Sequence, residues 1–130
     1  MLAVARAAGI VPLAYASFDP ADFAAGAGPA AKSAGRARKA LDFLAERRRN
    51  AGKTHSGFWR DLAVRKRRTE VDPLMGAVAA EGRRLGVPTP ALDLLISLVH
   101  DIEEGRRALS PETFNVLRER CHALQNATPL

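Results

Sequence analysis

Residues Lys53 to Pro90 read KTHSGFWRDLAVRKRRTEVDPLMGAVAAEGRRLGVPTP. This stretch decides the fold, because it joins two helices through one acidic elbow. From Thr54 to Arg65, Phe58, Leu62 and Arg65 form one helical row with Trp59 beside it, and Arg60, Asp61 and Lys66 fall towards water. The elbow is Arg68-Thr69-Glu70-Val71-Asp72-Pro73. Thr69 or Asp72 suits the N-cap of the next helix, and Pro73 suits its first turn, where no N–H is needed. Glu70 lies at the positive end of that helix dipole. The second helix expects Leu74, Val78, Gly82 and Leu85 on its buried face and ends at Gly86, since Val87-Pro88-Thr89-Pro90 cannot continue it.

As an ordered series, the SxxWxDL-like helix, the basic turn, TEVD, the GAV-containing helix and GVPTP resemble the C-terminal domain of the ketopantoate reductases (2-dehydropantoate 2-reductases), closely over about Thr54 to Glu103. AVARAAGI, Ala3 to Ile10, is similar to the end of that family's domain-linking helix. The resemblance implies an all-α domain from a two-domain, NADPH-dependent, cytoplasmic oxidoreductase of pantothenate biosynthesis. The family's N-terminal Rossmann domain binds the cofactor, and its general-acid lysine and neighbouring asparagine precede the segment matched by Ala3 to Ile10. It therefore implies no catalytic residue here. The chain alone is expected to be inactive and to bind no cofactor, its partners being a Rossmann-type domain or a second copy of itself. The family's cleft glutamate, which helps hold cofactor and substrate, maps onto Glu70. The substrate-contacting serine maps onto Ser56, or onto Gly57 when Asp61 anchors the match. One extra residue stands between Asp61 and Glu70 relative to the commoner family pattern.

Composition sets the outer limits. A chain of 130 residues with 47% hydrophobic residues can bury one core, and many alanines and leucines with few aromatics favour helices. The net charge of +6 is polarised: Lys32 to Arg68 carries thirteen Lys or Arg against Asp42, Glu46 and Asp61. Such a segment attracts nucleic acid, acidic lipid or a phosphorylated ligand, or it is simply a solvated arginine-rich face. The single cysteine, Cys121, excludes an internal disulfide and fits a reducing compartment. No run approaches a membrane span, and Met1 to Ile10 lacks a cleavable signal pattern.

The expected domain is a single one over 1–130: the end of a linking helix at 1–9, a connection at 10–31, a helical core at 32–125 and a frayed tail at 126–130. The connection is broken by Pro12, Pro20, Gly26, Gly28 and Pro29, with Tyr15, Phe18 and Phe23 as anchors and one helical turn at Asp19 to Ala24. Its GAGPAA, Gly26 to Ala31, spells a degenerate dinucleotide loop but lacks the strand that such a loop follows. A helix from Lys32 to Asn50 would bury Ala34, Ala37, Leu41 and Leu44. Thr89-Pro90 starts a helix with Leu92, Leu95, Val99 and Ile102 on one face and Leu94 and Leu98 opening a second, outward one. Asp101, Glu103 and Glu104 oppose its dipole before Gly105. Ser110-Pro111-Glu112 starts the last helix, whose buried row is Phe114, Leu117, Cys121 and Leu124.

His55, His100 and His122 have no metal-ligand spacing, so no metal is expected. Ser56 beside His55 is no nucleophile and base, because adjacent helical residues point about 100° apart. The reading is thus an all-α domain of five or six helices, with Ser56 as substrate-binding and Glu70 as cofactor-binding residue and a small 2-oxoacid as the whole family's substrate. The alternatives are a basic nucleic-acid-binding module resting on Lys32 to Arg68 and a structural homodimer.

Overall fold

The computed structural model describes residues 1–15, 18–23, 30–49, 52 and 54–126. All its regular structure among these is helical, and the chain divides into two compact units, Met1–His55 and Ser56–Leu130. The segment 32–125, read above as one core, is divided between the two units after His55.

In the first unit, α1 (Leu2–Ala7) ends before Gly9, α2 (Pro20–Phe23) is the expected single turn, and α3 spans Ala30–Arg49. Asp19 starts α2 by accepting the Ala21 N–H at 2.9 Å, which satisfies a donor the helix cannot. Tyr15 and Phe18 exchange backbone hydrogen bonds of 2.9 and 3.0 Å, and the Phe18 and Phe23 rings stack with centroids 5.2 Å apart. Asp22 holds Arg36 of α3 at 3.4 Å. Leu41, expected on the buried face of α3, is 54% exposed, whereas Ala37 and Leu44 are half-buried. The Gly26 to Pro29 part of the dinucleotide-like loop, the Asn50 helix end and the tail from 127 lie outside the described residues.

The second unit opens with Ser56, whose hydroxyl accepts the Trp59 N–H at 3.1 Å and caps α4 (Gly57–Trp59). The helix starts later than Thr54 and passes directly into a π-helical turn, Arg60–Arg65. A second π-turn, Asp72–Gly76, runs into α5 (Ala77–Arg84), followed by α6 (Pro90–Glu103) and α7 (Pro111–Asn126).

These π-turns correct the expected faces. A π-turn closes i→i+5 bonds and so holds one residue more than an α-turn, which shifts the phase of every face counted across it. Asp61, expected in water, is only 7% exposed. Leu74, expected inside, is 49% exposed, whereas Gly82 is buried as expected, and Val71 and Ala79 are buried beside it in the chain's core.

The elbow and α5 form an antiparallel hairpin with α6. Glu103 Oε1 accepts both the N–H and the hydroxyl of Thr69 at 2.7 Å, Asp72 meets His100 Nε2 at 3.0 Å, and Arg83 reaches Asp93 at 3.4 Å. Positions that rise along one helix thus meet positions that fall along the other. Thr69 also accepts the Val71 N–H at 3.2 Å, so it is the residue of the elbow that caps. At the bend, the Val87 N–H bonds the Gly82 carbonyl at 2.8 Å and the Gly86 N–H bonds that of Arg83 at 3.3 Å. This closure requires the left-handed φ of +68° at Gly86, which glycine adopts without a Cβ clash. Thr89 precedes α6 but does not cap it with its side chain, because its hydroxyl donates to Asp93.

The acidic end of α6 is resolved by partners. Asp101 holds Arg106 and Arg107, Glu103 holds Thr69, and Glu104 holds Arg68 and Arg106. Leu98, read as outward, is only 5% exposed beside the buried Val99, while Leu94 is half-buried. On α7, Phe114 is 62% exposed, whereas Thr113 is buried with its hydroxyl donating to the Ala108 carbonyl at 2.8 Å.

Two results are expected from this packing. Lys66 is a non-glycine residue in the left-handed region, at φ +50°. Lys66→Gly should relieve about 1 kcal/mol of backbone strain and raise Tm by roughly 4–8 °C in a unit of this size. A lower Tm would show that the Lys66 side chain stabilises more than its backbone loses. Asp61, held below the usual carboxylate range by hydrogen bonds from Arg65 and Arg67, binds its proton less tightly folded than unfolded. Its contribution is present above about pH 4 and is lost as pH falls through the depressed folded value. Asp61→Asn should lower stability at neutral pH and flatten the acid limb of a Tm-against-pH curve. An unchanged limb would mean that other carboxylates dominate it.

Candidate functional site

Two clefts adjoin on the second unit. One, of about 310 Å³, has apolar walls that include Leu95, Val99, Phe114 and Leu117, with Ser56 among its lining residues. The other, of about 580 Å³, carries Lys66, Arg67, Arg107 and Glu103. Trp59, Leu62, Ile102 and Leu109 line both, so the two share a wall.

The cations of the larger cleft are placed by two similar helix ends. The Asp61 carbonyl accepts the N–H groups of Lys66 and Arg67, while its carboxylate accepts Arg65 at 2.8 Å and Arg67 Nε at 2.9 Å. The Asp101 carbonyl accepts the N–H groups of Arg106 and Arg107, and its carboxylate accepts Arg106 Nε at 2.7 Å and Arg107 Nε at 3.3 Å. Both aspartates lie below the usual carboxylate range, chiefly through hydrogen bonds from Arg65 and Arg106 respectively. Sequence reasoning assigned no role to Asp61, Asp101 or Arg107. The signal was present as an aspartate followed five and six residues later by basic residues, but only the folded helix ends reveal its meaning.

The two residues singled out from sequence have different surroundings. Ser56 lies at the apolar cleft with its hydroxyl oxygen already accepting the Trp59 N–H. Glu70 is exposed in the first turn after Thr69, and its carbonyl accepts the Leu74 N–H at 3.2 Å. It lines neither of these two clefts. Arg67 and Arg68, which precede it in sequence, turn instead to Asp61 and Glu104. Among the described residues the Glu70 carboxylate has no partner, although the other acids from Asp61 to Glu104 are engaged. No group of three or more His, Cys, Asp or Glu among the described residues is placed to hold a metal ion.

A family model described as the C-terminal part of ketopantoate reductase PanE/ApbA matches residues 1–103. The 2-dehydropantoate 2-reductase of Lactococcus lactis subsp. lactis (strain IL1403) is 40% identical over 57 residues. That stretch is 44% of this chain and 18% of the relative, so the similarity spans a small part of the longer protein. No solved structure matches significantly.

The capping role of Ser56 is separable from ligand contact. Ser56→Ala should cost about 1 kcal/mol by removing the side-chain acceptor of the Trp59 N–H, whereas Ser56→Asp, which keeps an acceptor at the cap, should retain stability. Equal melting of both variants and the parent would remove the cap as the reason for a serine here.

Proposed function

The chain belongs to the ketopantoate reductase family through its C-terminal domain, and from that premise we propose that it serves as the substrate-side and dimerisation half of an NADPH-dependent 2-oxoacid reductase. The observation that carries this reading is the unpartnered Glu70. A carboxylate left unpaired among neighbours that are all engaged is free to accept hydrogen bonds from a cofactor ribose or a hydroxy-acid. Its exposed place at a helix start suits the edge of a cleft completed by another domain. Ser56 supplies a second, weaker contact, since its hydroxyl proton can still donate while its oxygen caps α4.

In this reading a Rossmann-type domain brings NADPH and the general-acid lysine. When bound, the cofactor supplies the hydride; this chain's residues only orient what receives it. A second copy or the Rossmann domain would cover surface such as the exposed Leu74 and the half-buried Leu94. The site of action proposed is the cytoplasm. No helix among the described residues is long and apolar enough to cross a membrane.

The nucleic-acid alternative loses ground on α3. Arg36, Arg38 and Arg49 pair with Asp22, Asp42 and Glu46, as expected for a solvated charged face.

The direct test is an assay of the purified chain with NADPH and ketopantoate, alone and then with a Rossmann domain from a family member. Alone, it should neither turn over ketopantoate nor bind NADPH with micromolar affinity; turnover by the chain alone would refute the proposal. If the supplied domain restores activity, Glu70→Gln should lower kcat/KM by at least about tenfold, the scale of one charged hydrogen bond. Sedimentation at micromolar concentration should show self-association that Leu94→Glu abolishes. A stable monomer of the parent chain would refute the dimerisation role and mean that α6 is simply central to the core.

A further inference from the structure

The adjoining clefts differ in chemistry but share the wall of Trp59, Leu62, Ile102 and Leu109. We propose that they form one trough that binds a single amphiphilic carboxylate, its apolar body against Phe114 and Leu117 and its head group among Lys66, Arg67 and Arg107.

The head-group end is built for an anion. Asp61 and Asp101 each hold a guanidinium by its Nε edge, which fixes Arg67 and Arg107 in orientation and leaves their terminal nitrogens for a fork-shaped acceptor. The Lys66 ammonium forms no ion pair among the described residues, and its left-handed backbone sets it at the same cleft. Strain of this kind is held in place only by its surroundings, here the two N–H bonds to the Asp61 carbonyl. Glu103 is the one acid lining the cleft, and its Oε1 already accepts two hydrogen bonds from Thr69. The lining carries three cations against Glu103, and Asp61 and Asp101 behind it are shared with Arg65 and Arg106, so positive charge is left for an anion.

The other end offers carbon. Of its hydroxyls, Ser56 caps α4, Thr113 donates to Ala108, and Ser110 hydrogen-bonds with Glu112. A polar tail would lose its water and gain at most the one free proton of Ser56, whereas an apolar tail gains by burial. Neither Glu70 nor the reductase reading enters this inference, so either can fail without the other.

Trp59 is the only tryptophan and stands at the junction, so its emission reads binding directly. Decanoate, kept below its micellar range, should change that emission saturably in the full chain and bind at least about tenfold more tightly than acetate or 1-decanol, as expected for a charged contact added to an apolar one. The double variant Lys66→Gln, Arg107→Gln should weaken decanoate by at least about tenfold and leave 1-decanol unchanged. Should that variant not fold, Lys66→Gly, which relieves strain, should weaken decanoate severalfold by itself. Equal binding of decanoate and 1-decanol, unaltered decanoate binding in the folded variant, or no saturable response would overturn the proposal. So would co-sedimentation with phosphatidylglycerol vesicles without a response to monomeric decanoate.

Discussion

The second unit depends on how a helix is closed when the residue after it is not glycine. Asp61 does this with both of its oxygen-bearing groups: its carbonyl accepts the N–H groups of Lys66 and Arg67, and its carboxylate accepts the side chains of Arg65 and Arg67. The turn contains one residue more than an α-turn and ends in a left-handed lysine. Asp101 ends α6 in a related way, with Gly105 taking the left-handed position. After this wide turn the elbow stays attached to α6 through Thr69 and Glu103.

That attachment links fold to site. Glu103 looks misplaced at the negative end of its own helix, yet through Thr69 it lies at the positive start of the neighbouring one, where a carboxylate is favoured. With Asp72 engaged by His100 on the next turn, the first-turn acid left over is Glu70. The proposed role of Glu70 thus comes from the surrounding bookkeeping of charge as much as from its own position.

The same helix ends explain why the trough has two characters. Helices that terminate in basic turns expose backbone carbonyls and cations together, while the helix faces behind them remain apolar. Trp59 belongs to both because it stands where the capped α turn becomes a π-turn. The residue is exposed, so a ligand can reach its ring from either cleft.

From the sequence alone, helical class, the elbow with its Thr69 cap and Pro73, the bend at Gly86 and the starts of α6 and α7 were legible, because each rests on local backbone chemistry within a few residues. So was the ordered series that resembles the ketopantoate reductase C-terminal domain. The faces of Leu74, Asp61, Leu98 and Phe114 were not. A helical wheel assumes a constant turn, and the π-turns that contain Asp61 and Leu74 break it; Leu98 and Phe114 lie on the regular helices α6 and α7, where the covered side depends on which elements pack there. The pairings of Glu103 with Thr69, and of Asp61 and Asp101 with the cations of one cleft, were decided by tertiary structure. They join residues whose encounter depends on how the antiparallel helices register, and hydrogen bonds between distant side chains exist only once that register is set.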